Sequence, residues 1–468
     1  MPRSFSCGAA LALLALPLLL AGAPPEQEPA TSERVRAIAE KIEKLRGRPF
    51  KAEVGIQTQS AEAFRRYVDS EIERSLPGEK ASSLSGALQA FGLLPRGFDL
   101  RRGLADLYVS QAGAYYEPVS KKFFILMVRM PREQLDSIIA HELAHALDDQ
   151  YFDLRAAIEK AEASENDDKV SALQFVLEGG ATYLMTRFQL EAAGADLEAL
   201  GPAQEWVFRQ LRTMDRESLL QSADLLKGRL GEGADEVKQA LAALRDLPSY
   251  LFWSLHAPYL KGQYAIFKVK ASGGWAAVDE LLRSPPASTE QMLHPEKLRG
   301  ESREMPVEVA LPDLLSALGP GWRLVRANAF GELGTWILLD GRLPKKQASP
   351  LGAAAETPAE RAAAGWGGDR YAVYGAAGGE TLVVWRTAWD SEKDASEFAE
   401  ALGAAPFAPG GPPLVTYRDG KTVVVLSGKE AALEAARETL GLSAGVPPET
   451  SPKAEGKPAP PAPEGGAR

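Results

Sequence analysis

The stretch IIAHELAHALDDQYFDL runs from Ile138 to Leu154 and contains two of the four histidines in the chain. It lies within a segment, Pro131 to Asp153, that we predict to be one long helix. In a helix, residues four positions apart lie one above the other on the same face. His141 and His145 can therefore both direct a ring nitrogen at one zinc ion. Glu142 is placed to act on water at that ion without being a ligand, which is the physical meaning of the H-E-x-x-H spacing.

The alternative is a structural helix in which two histidines fall at this spacing by chance. With only 4 histidines in 468 residues, a chance H-E-x-x-H is expected in roughly a few of every thousand such sequences. The residues around the motif are uncharged where a surface helix would carry charge: Ile138, Ile139, Ala140, Leu143, Ala144, Ala146 and Leu147. We therefore predict one zinc ion per chain, with His141 and His145 as two of its ligands.

A catalytic zinc ion needs a third protein ligand, and Glu178 is our candidate. It lies in the otherwise uncharged stretch FVLEGGATYLM of a second predicted helix, Val170 to Glu191. A lone carboxylate is costly there unless it binds a metal or a partner. Gly179 and Gly180 each cost about 1 kcal/mol relative to alanine in a helix, and we expect them where this helix closely approaches the zinc helix. The alternative is that Glu178 forms a buried helix cap or an ion pair.

The segment STEQMLHPEKL contains His294, and HAPYLKGQY contains Tyr259. The S-T-x-x-x-x-H-P arrangement around His294 is similar to a segment that closes the site in some zinc peptidases. That resemblance implies a side chain that stabilises the oxyanion of the tetrahedral intermediate; His294 is our first candidate for this role and Tyr259 the second. His256, which begins the latter stretch, ranks below both. The alternative is that each of these histidines has only a structural role in the fold.

The stretch GAYYEPVSKKFFILMV predicts a β-hairpin whose turn is Glu117 to Ser120. Its first arm contains Tyr115 and Tyr116. This arm either offers an edge strand to which an extended peptide can add, or belongs to a buried core hairpin.

These motifs resemble those of the gluzincins, the group of zinc metallopeptidases to which thermolysin belongs. HELAHALDD resembles the thermolysin zinc helix, including Asp149 four residues after the second histidine, and EGGAT from Glu178 is similar to the E-G-x-A form of several gluzincin families. The chain is also similar to secreted bacterial proteins that combine such a helix with a C-terminal GWGGDRY motif, here Gly365 to Tyr371. The specific likeness covers roughly residues 110–190, with weaker similarity near 258–297 and 365–400.

The resemblance implies a zincin-like catalytic domain that hydrolyses peptide bonds in a peptide or protein substrate. Zinc would activate water, and Glu142 would act as the general base. Many gluzincins have an aspartate four residues after the ligand glutamate that orients a zinc histidine, but this chain has Thr182 there. That role would fall to Thr182, Asp149 or a backbone carbonyl. The alternative function is a catalytically silent, secreted zinc-binding scaffold that interacts with other proteins.

The N-terminus predicts export to the periplasm or the extracellular space. Residues 1–23 resemble a signal peptide, with Arg3, an apolar run from Ala9 to Leu20 and small residues after it. The only cysteine, Cys7, precedes that run, so we expect no lipid anchor. The alternative, retention of the run as a membrane anchor, is disfavoured because the run is short for a span. A formal net charge of -10 argues against nucleic acid as a partner.

Composition and periodicity divide the rest of the chain into regions. We predict a body of residues 31–300 that is mainly α with a small antiparallel sheet, and a C-terminal α+β domain of residues 365–442. Residues 301–342 are expected to be a connecting helix and strand region, and residues 343–364, rich in Ala, Pro, Lys and Glu, a linker. Residues 443–468 are expected to be a disordered tail. The glycines of GWGGDRY suggest a tight turn.

Overall fold

The structure of the protein is a computed structural model that describes residues 32–111, 113–126, 132–220, 244–343, 356–403 and 405–442. The predicted signal peptide and the predicted disordered tail lie outside the described residues. Within them the protein is mainly helical with two small sheets, so the prediction of a mainly α body followed by an α+β region is confirmed. The described residues include no helix with the length and apolar character needed to span a membrane.

The N-terminal body is built mostly from long helices. They are α1 (Ser32–Arg46), α2 (Ala61–Ser75), α3 (Gly78–Ala90), α4 (Leu100–Gln111), α5 (Arg132–Phe152), α6 (Leu154–Glu162), α7 (Asp167–Ala192), α8 (Ala203–Arg212) and α9 (Ser249–Arg283). The predicted helices Pro131 to Asp153 and Val170 to Glu191 correspond to α5 and α7 to within a few residues. In α1, the apolar positions Val35, Ile38 and Ile42 recur at helical spacing and are all buried.

The sheet of the body has the strands β1 (Gly55–Gln59), β2 (Ala114–Glu117) and β3 (Lys122–Leu126), in the order β1-β3-β2. β2 and β3 form the predicted antiparallel hairpin. The prediction of an antiparallel sheet is wrong for β1, which pairs in parallel with β3. The three helices α2 to α4 connect β1 to the hairpin, and such a long crossover allows parallel pairing. β2 is an edge strand, yet Tyr115 and Tyr116 are buried.

The C-terminal part has a five-stranded antiparallel sheet with short helices around it. The strands are β4 (Trp322–Asn328), β5 (Trp366–Ala376), β6 (Thr381–Trp389), β7 (Val415–Asp419) and β8 (Thr422–Ser427), in the order β4-β5-β6-β8-β7. The helices are α10 (Thr289–Leu293), α11 (Leu315–Leu318), α12 (Gly331–Asp340), α13 (Pro358–Ala363), α14 (Glu392–Leu402) and α15 (Glu430–Leu440). Four of these strands and two of these helices lie within residues 365–442, where the α+β domain is predicted.

Two elements from outside residues 365–442 belong to this part. β4, in the predicted connecting region, is a strand of the same sheet, with Trp322 paired to Ala376 of β5. The predicted linker contains α13, which begins with a capping box between Thr357 and Glu360. Its buried residues are alanines, which are too small to produce a visible apolar period. The α+β module therefore begins at Trp322 and includes α13.

The body and the C-terminal module share one hydrophobic core. Phe91, at the end of α3, packs edge-on against Phe330 with ring centroids 4.6 Å apart. It also lies 5.3 Å from the ring of Tyr371 and 5.8 Å from that of Trp385, both in the sheet. Such aromatic pairs stabilise a core beyond the area they bury. The module is therefore packed into the body rather than joined to it by a free linker.

The GWGGDRY motif builds a buried anchor for α12. Both oxygens of Asp369 accept hydrogen bonds from the start of that helix, at 2.9 Å from Phe330 N and 2.9 Å from Gly331 N. The indole nitrogens of Trp366 (3.2 Å) and Trp385 (2.9 Å) donate to the same carboxylate. Four donors satisfy a carboxylate that would otherwise be costly to bury. The motif is therefore structural.

A second buried carboxylate, that of Asp168, joins α7 to the start of α12. Asp168 Oδ1 accepts hydrogen bonds from Thr289 N (3.1 Å) and Thr289 Oγ1 (2.5 Å). The Thr289 hydroxyl accepts one from Leu333 N at 3.1 Å. Gly331 lies so close that an added Cβ would stand 1.8 Å from Asp168 Oδ1, so only glycine fits there. The helix that carries Glu178 is thereby held to α12.

Asp168 leads to a prediction about stability and pH. Burial raises the pKa of its carboxyl to about 7, although the Thr289 hydrogen bonds oppose this rise. In the unfolded chain an aspartate ionises near pH 3.9. Between about pH 4 and about pH 7 the Asp168 carboxyl has therefore released its proton in the unfolded chain but still holds it in the folded chain, and its contribution to the free energy of unfolding falls as the pH rises.

In Asp168→Asn the free energy of unfolding is expected to depend less on pH between about pH 4 and about pH 7. Urea denaturation across that pH range measures this dependence. Asp69→Asn, at an exposed position of α2, is the control and should leave the slope unchanged. An identical slope in the parent and in Asp168→Asn would contradict the assignment.

Candidate metal centre

The middle of α5 is buried against α7 and the small sheet. Ile139, Leu143 and Leu147 of α5 share a core cluster with Ala181, Leu184 and Phe188 of α7. The two helices also face each other along the strip next to this cluster. Three side chains meet there: His141, which is fully buried, His145, which is 7% exposed, and Glu178.

The three predicted ligands converge on one point. The Nε2 atoms of His141 and His145 are 3.1 Å apart. Glu178 Oε2 lies 3.3 Å from the first of these nitrogens and 3.4 Å from the second. A tetrahedral zinc ion with bonds of about 2.0–2.1 Å separates its ligand atoms by about 3.3–3.4 Å. The triangle therefore has the size that zinc requires, and the residues present fit the ion.

The protonation states also suit a metal. Burial lowers the pKa of His141 and keeps its imidazole neutral. Burial raises the pKa of the Glu178 carboxyl, but the interactions with His145 and His141 outweigh it and bring the value to about 2. A neutral imidazole and an ionised carboxylate are the forms that bind a metal ion.

Glu142 lies beside this triangle with one oxygen occupied. Its Oε2 accepts a hydrogen bond from Tyr116 N at 2.8 Å, and its Oε1 has no hydrogen-bond partner among the described residues. Burial raises the pKa of the carboxyl well above its ordinary value; the Tyr116 bond lowers it and the charge of Glu178 raises it. A carboxylate with a raised pKa and a free oxygen has the properties of a general base.

Sequence reasoning missed the part that Tyr116 plays. Its backbone binds Glu142, and its hydroxyl donates to Asp149 Oδ2 at 2.8 Å. The other oxygen of Asp149 accepts from Leu154 N at 2.8 Å. Each oxygen of Asp149 thus has a partner other than the zinc histidines, and no hydrogen bond joins Asp149 to His141 or His145 among the described residues. His141 Nδ1 and Thr182 Oγ1 are buried, and neither has a hydrogen-bond partner in the described part of the chain.

Tyr259, our second candidate for oxyanion stabilisation, lies beside the ligands. Its ring stacks on His141 with centroids 5.7 Å apart and an interplanar angle of 13°. Burial raises the pKa of its hydroxyl well above the ordinary value, and the charges of Glu178 and Glu142 and a hydrogen bond to Glu178 raise it further. The hydroxyl therefore keeps its proton and can donate it in a hydrogen bond.

The other two histidines have different roles. His294, our first candidate, has its Nε2 2.8 Å from Glu332 Oε1 of α12 and its Nδ1 3.8 Å from Glu296 Oε1. His256 has its Nδ1 2.7 Å from Phe252 O and stacks on the Phe252 ring at 4.1 Å. Burial lowers the pKa of His256 to about 4, so it is a neutral core residue. The structure thus brings Tyr259 to the site, and not His294.

The crossing of α7 and α9 explains why Tyr259 reaches the ligands. An added Cβ on Gly179 would lie 2.4 Å from the carbonyl carbon of Gly262, and one on Gly262 would lie 2.7 Å from Phe175 O. Two helix backbones touch only where both residues lack a side chain. A close approach at Gly179 was predicted, but the partner is α9 and not the zinc helix.

Neighbouring glycines allow a matched test of this crossing. Gly179→Ala is expected to lower the free energy of unfolding by about 1–3 kcal/mol, because the new methyl group forces α9 away from α7. Gly180→Ala has no atom within 4 Å of the new Cβ and should be neutral or gain up to about 1 kcal/mol from helix propensity. Urea denaturation of both variants makes the comparison. Equal stabilities would show that the backbones do not touch at Gly179.

Comparison with known proteins concerns the C-terminal module. Residues 322–438 match the family described as Domain of unknown function (DUF8575). The match begins at Trp322, the first residue of β4, and contains none of the three predicted metal ligands. Searches of curated proteins and of solved structures find no match to the chain.

Proposed function

We propose that the protein is an exported zinc-dependent metallopeptidase of gluzincin type with a zincin-like catalytic body. The observation that carries the proposal is the triangle of His141 Nε2, His145 Nε2 and Glu178 Oε2, with sides of 3.1, 3.3 and 3.4 Å. Glu142 stands beside this triangle with an oxygen that has no hydrogen-bond partner among the described residues. A purely structural zinc site has no use for such a base.

The residues around the triangle have distinct tasks in peptide hydrolysis. A zinc ion held by the three ligands would lower the pKa of water and polarise the scissile carbonyl. Glu142 accepts the proton of the attacking water on its free oxygen and passes it to the leaving amine. Tyr116 N–H holds the other oxygen of Glu142 and so sets the direction of the carboxylate. Tyr259 donates a hydrogen bond from its hydroxyl to the developing oxyanion.

The direct test is hydrolysis of a mixed peptide library by the purified protein, with zinc content measured on the same sample. We expect cleavage that stops when a chelator removes the zinc and returns when one equivalent of zinc is added. Full zinc occupancy without cleavage of any peptide would instead favour the catalytically silent scaffold. Cleavage that continues after complete removal of zinc would contradict the proposed mechanism.

A further inference from the structure

Two buried polar atoms at the contact between α5 and α7 have no hydrogen-bond partner among the described residues: His141 Nδ1 and Thr182 Oγ1. Both residues are fully buried. A buried polar group without a partner costs free energy, so nearly all such groups in folded proteins bond to other protein groups or to ordered water. These two atoms therefore point to a partner that the described side chains and backbone do not supply.

His141 Nδ1 becomes an obligatory donor when the ring binds a metal. Nε2 of the same ring belongs to the ligand triangle, and a neutral imidazole that binds a metal through one nitrogen carries its proton on the other. Such an N–H almost always donates to a carboxylate, a backbone carbonyl or a water molecule, and this bond fixes the orientation of the ring. His141 Nδ1 therefore needs an acceptor.

The structure narrows the choice among these three acceptors. No carboxylate or carbonyl of the described residues accepts from His141 Nδ1. The two oxygens of Asp149 accept from Tyr116 Oη and Leu154 N instead. This leaves a water molecule, and a buried water typically bonds to about two to four protein groups. A second polar group must therefore face the same space.

Thr182 is the polar group that α7 offers there. It follows Glu178 by four residues, so the two side chains lie on the same face of α7, one turn apart. From that face Glu178 Oε2 reaches His141 Nε2 at 3.3 Å. Ala140 and Ala181, the chain neighbours of His141 and Thr182, pack in one hydrophobic cluster. A helical threonine often bonds to a carbonyl of its own helix, but Thr182 Oγ1 does not, so its hydroxyl is available.

We propose that Thr182 is a positioning residue of the metal centre: its hydroxyl binds a buried water molecule, and this water accepts the hydrogen bond from His141 Nδ1. The inference rests on the zinc site of the proposed function and adds a residue to that site. Because the hydroxyl and the water are both neutral, they fix the direction of the ring without adding negative charge. Thr182 acts through His141 and not on the substrate.

The test measures zinc affinity by competition with a chromophoric chelator, which requires no substrate. Thr182→Val keeps the shape of the side chain but removes the hydroxyl, so zinc should bind about 10–100-fold more weakly, as is typical when the partner of a ligand histidine is lost. Thr182→Ala also lacks the hydroxyl and should behave in the same way, so the test does not depend on the folding of one variant. Thr182→Ser retains the hydroxyl and should bind zinc nearly as tightly as the parent.

The matched control is Thr186→Val, the same change one turn further along α7. The hydroxyl of Thr186 donates to Gln263 Oε1 at 3.0 Å, so its loss should leave zinc affinity at the level of the parent. Equal affinities in Thr182→Val and the parent, or equal losses in Thr182→Val and Thr186→Val, would overturn the inference. A parent that binds no zinc would reject the metal site as well. The expected series of zinc affinities without peptide hydrolysis would support the role of Thr182 and reject only the peptidase activity.

Discussion

His145→Ala is expected to abolish stoichiometric zinc binding. The imidazole supplies one of three ligand atoms, and the two residues that flank it, Ala144 and Ala146, have no side chain that could replace it. Two ligands do not hold zinc at the affinity of three or four, because each bond must offset the hydration that the ion gives up. The measurement is metal analysis of gel-filtered protein, followed by competition with a chromophoric chelator.

Glu178→Gln tests the third ligand in the same assay. The neutral amide is a much poorer ligand than the ionised carboxylate, so zinc should bind measurably more weakly than in the parent. His294→Gln is the control, because this histidine is bound to Glu332 and should leave zinc content unchanged. Stoichiometric zinc in the variant that carries both His141→Ala and His145→Ala would end the metal hypothesis. Unchanged affinity in Glu178→Gln would place the third ligand elsewhere.

The parts of the site that the sequence predicted are those that depend on one helix at a time. The spacing of His141 and His145 on α5 is a local property, since any helix of that register places both rings on one face. Glu178 could be found because a lone carboxylate in an apolar helix signals a partner. To predict that Glu178 lies near the histidines of α5, it was enough to expect that the two apolar helices pack together.

The parts that the sequence did not predict depend on contacts between distant segments. Tyr116 reaches Glu142 from a strand 26 residues away, and nothing in its own neighbourhood distinguishes it from Tyr115, whose hydroxyl binds Gln59 instead. The choice between Tyr259 and His294 depended on where α9 crosses α7. Gly179 of α7 and Gly262 of α9 set the position of that crossing. Hydrophobic periodicity in the sequence does not identify such a pair of glycines.

The sequence did not assign β4 and α13 to the C-terminal module for a different reason. The strand pattern of β4 is weak because most of its residues are half-exposed or exposed, so alternation does not stand out. The alanines of α13 resemble the composition of a linker, although the capping sequence TPAE at its start (Thr357–Glu360) is a recognisable signal for a helix N-terminus.

Glu142→Gln is expected to separate metal binding from catalysis. The amide has nearly the size of the carboxylate and can still accept the hydrogen bond from Tyr116 N, so the fold and the zinc content should survive. It cannot accept a proton at neutral pH, so turnover should fall by roughly the 10²–10⁴-fold that general acid–base catalysis supplies. Zinc content and peptide hydrolysis must be measured on one preparation, because loss of both would report only a damaged site.

The matched control for this variant is Glu133→Gln, at an exposed position in the first turn of the same helix. It removes the same charge from α5 and should leave both zinc content and turnover at the level of the parent. If Glu142→Gln also retained the parent's turnover with full zinc, Glu142 would not be the base. The raised pKa of its carboxyl would then reflect only its burial against β2, and the three ligands would describe a metal site without the chemistry proposed for it.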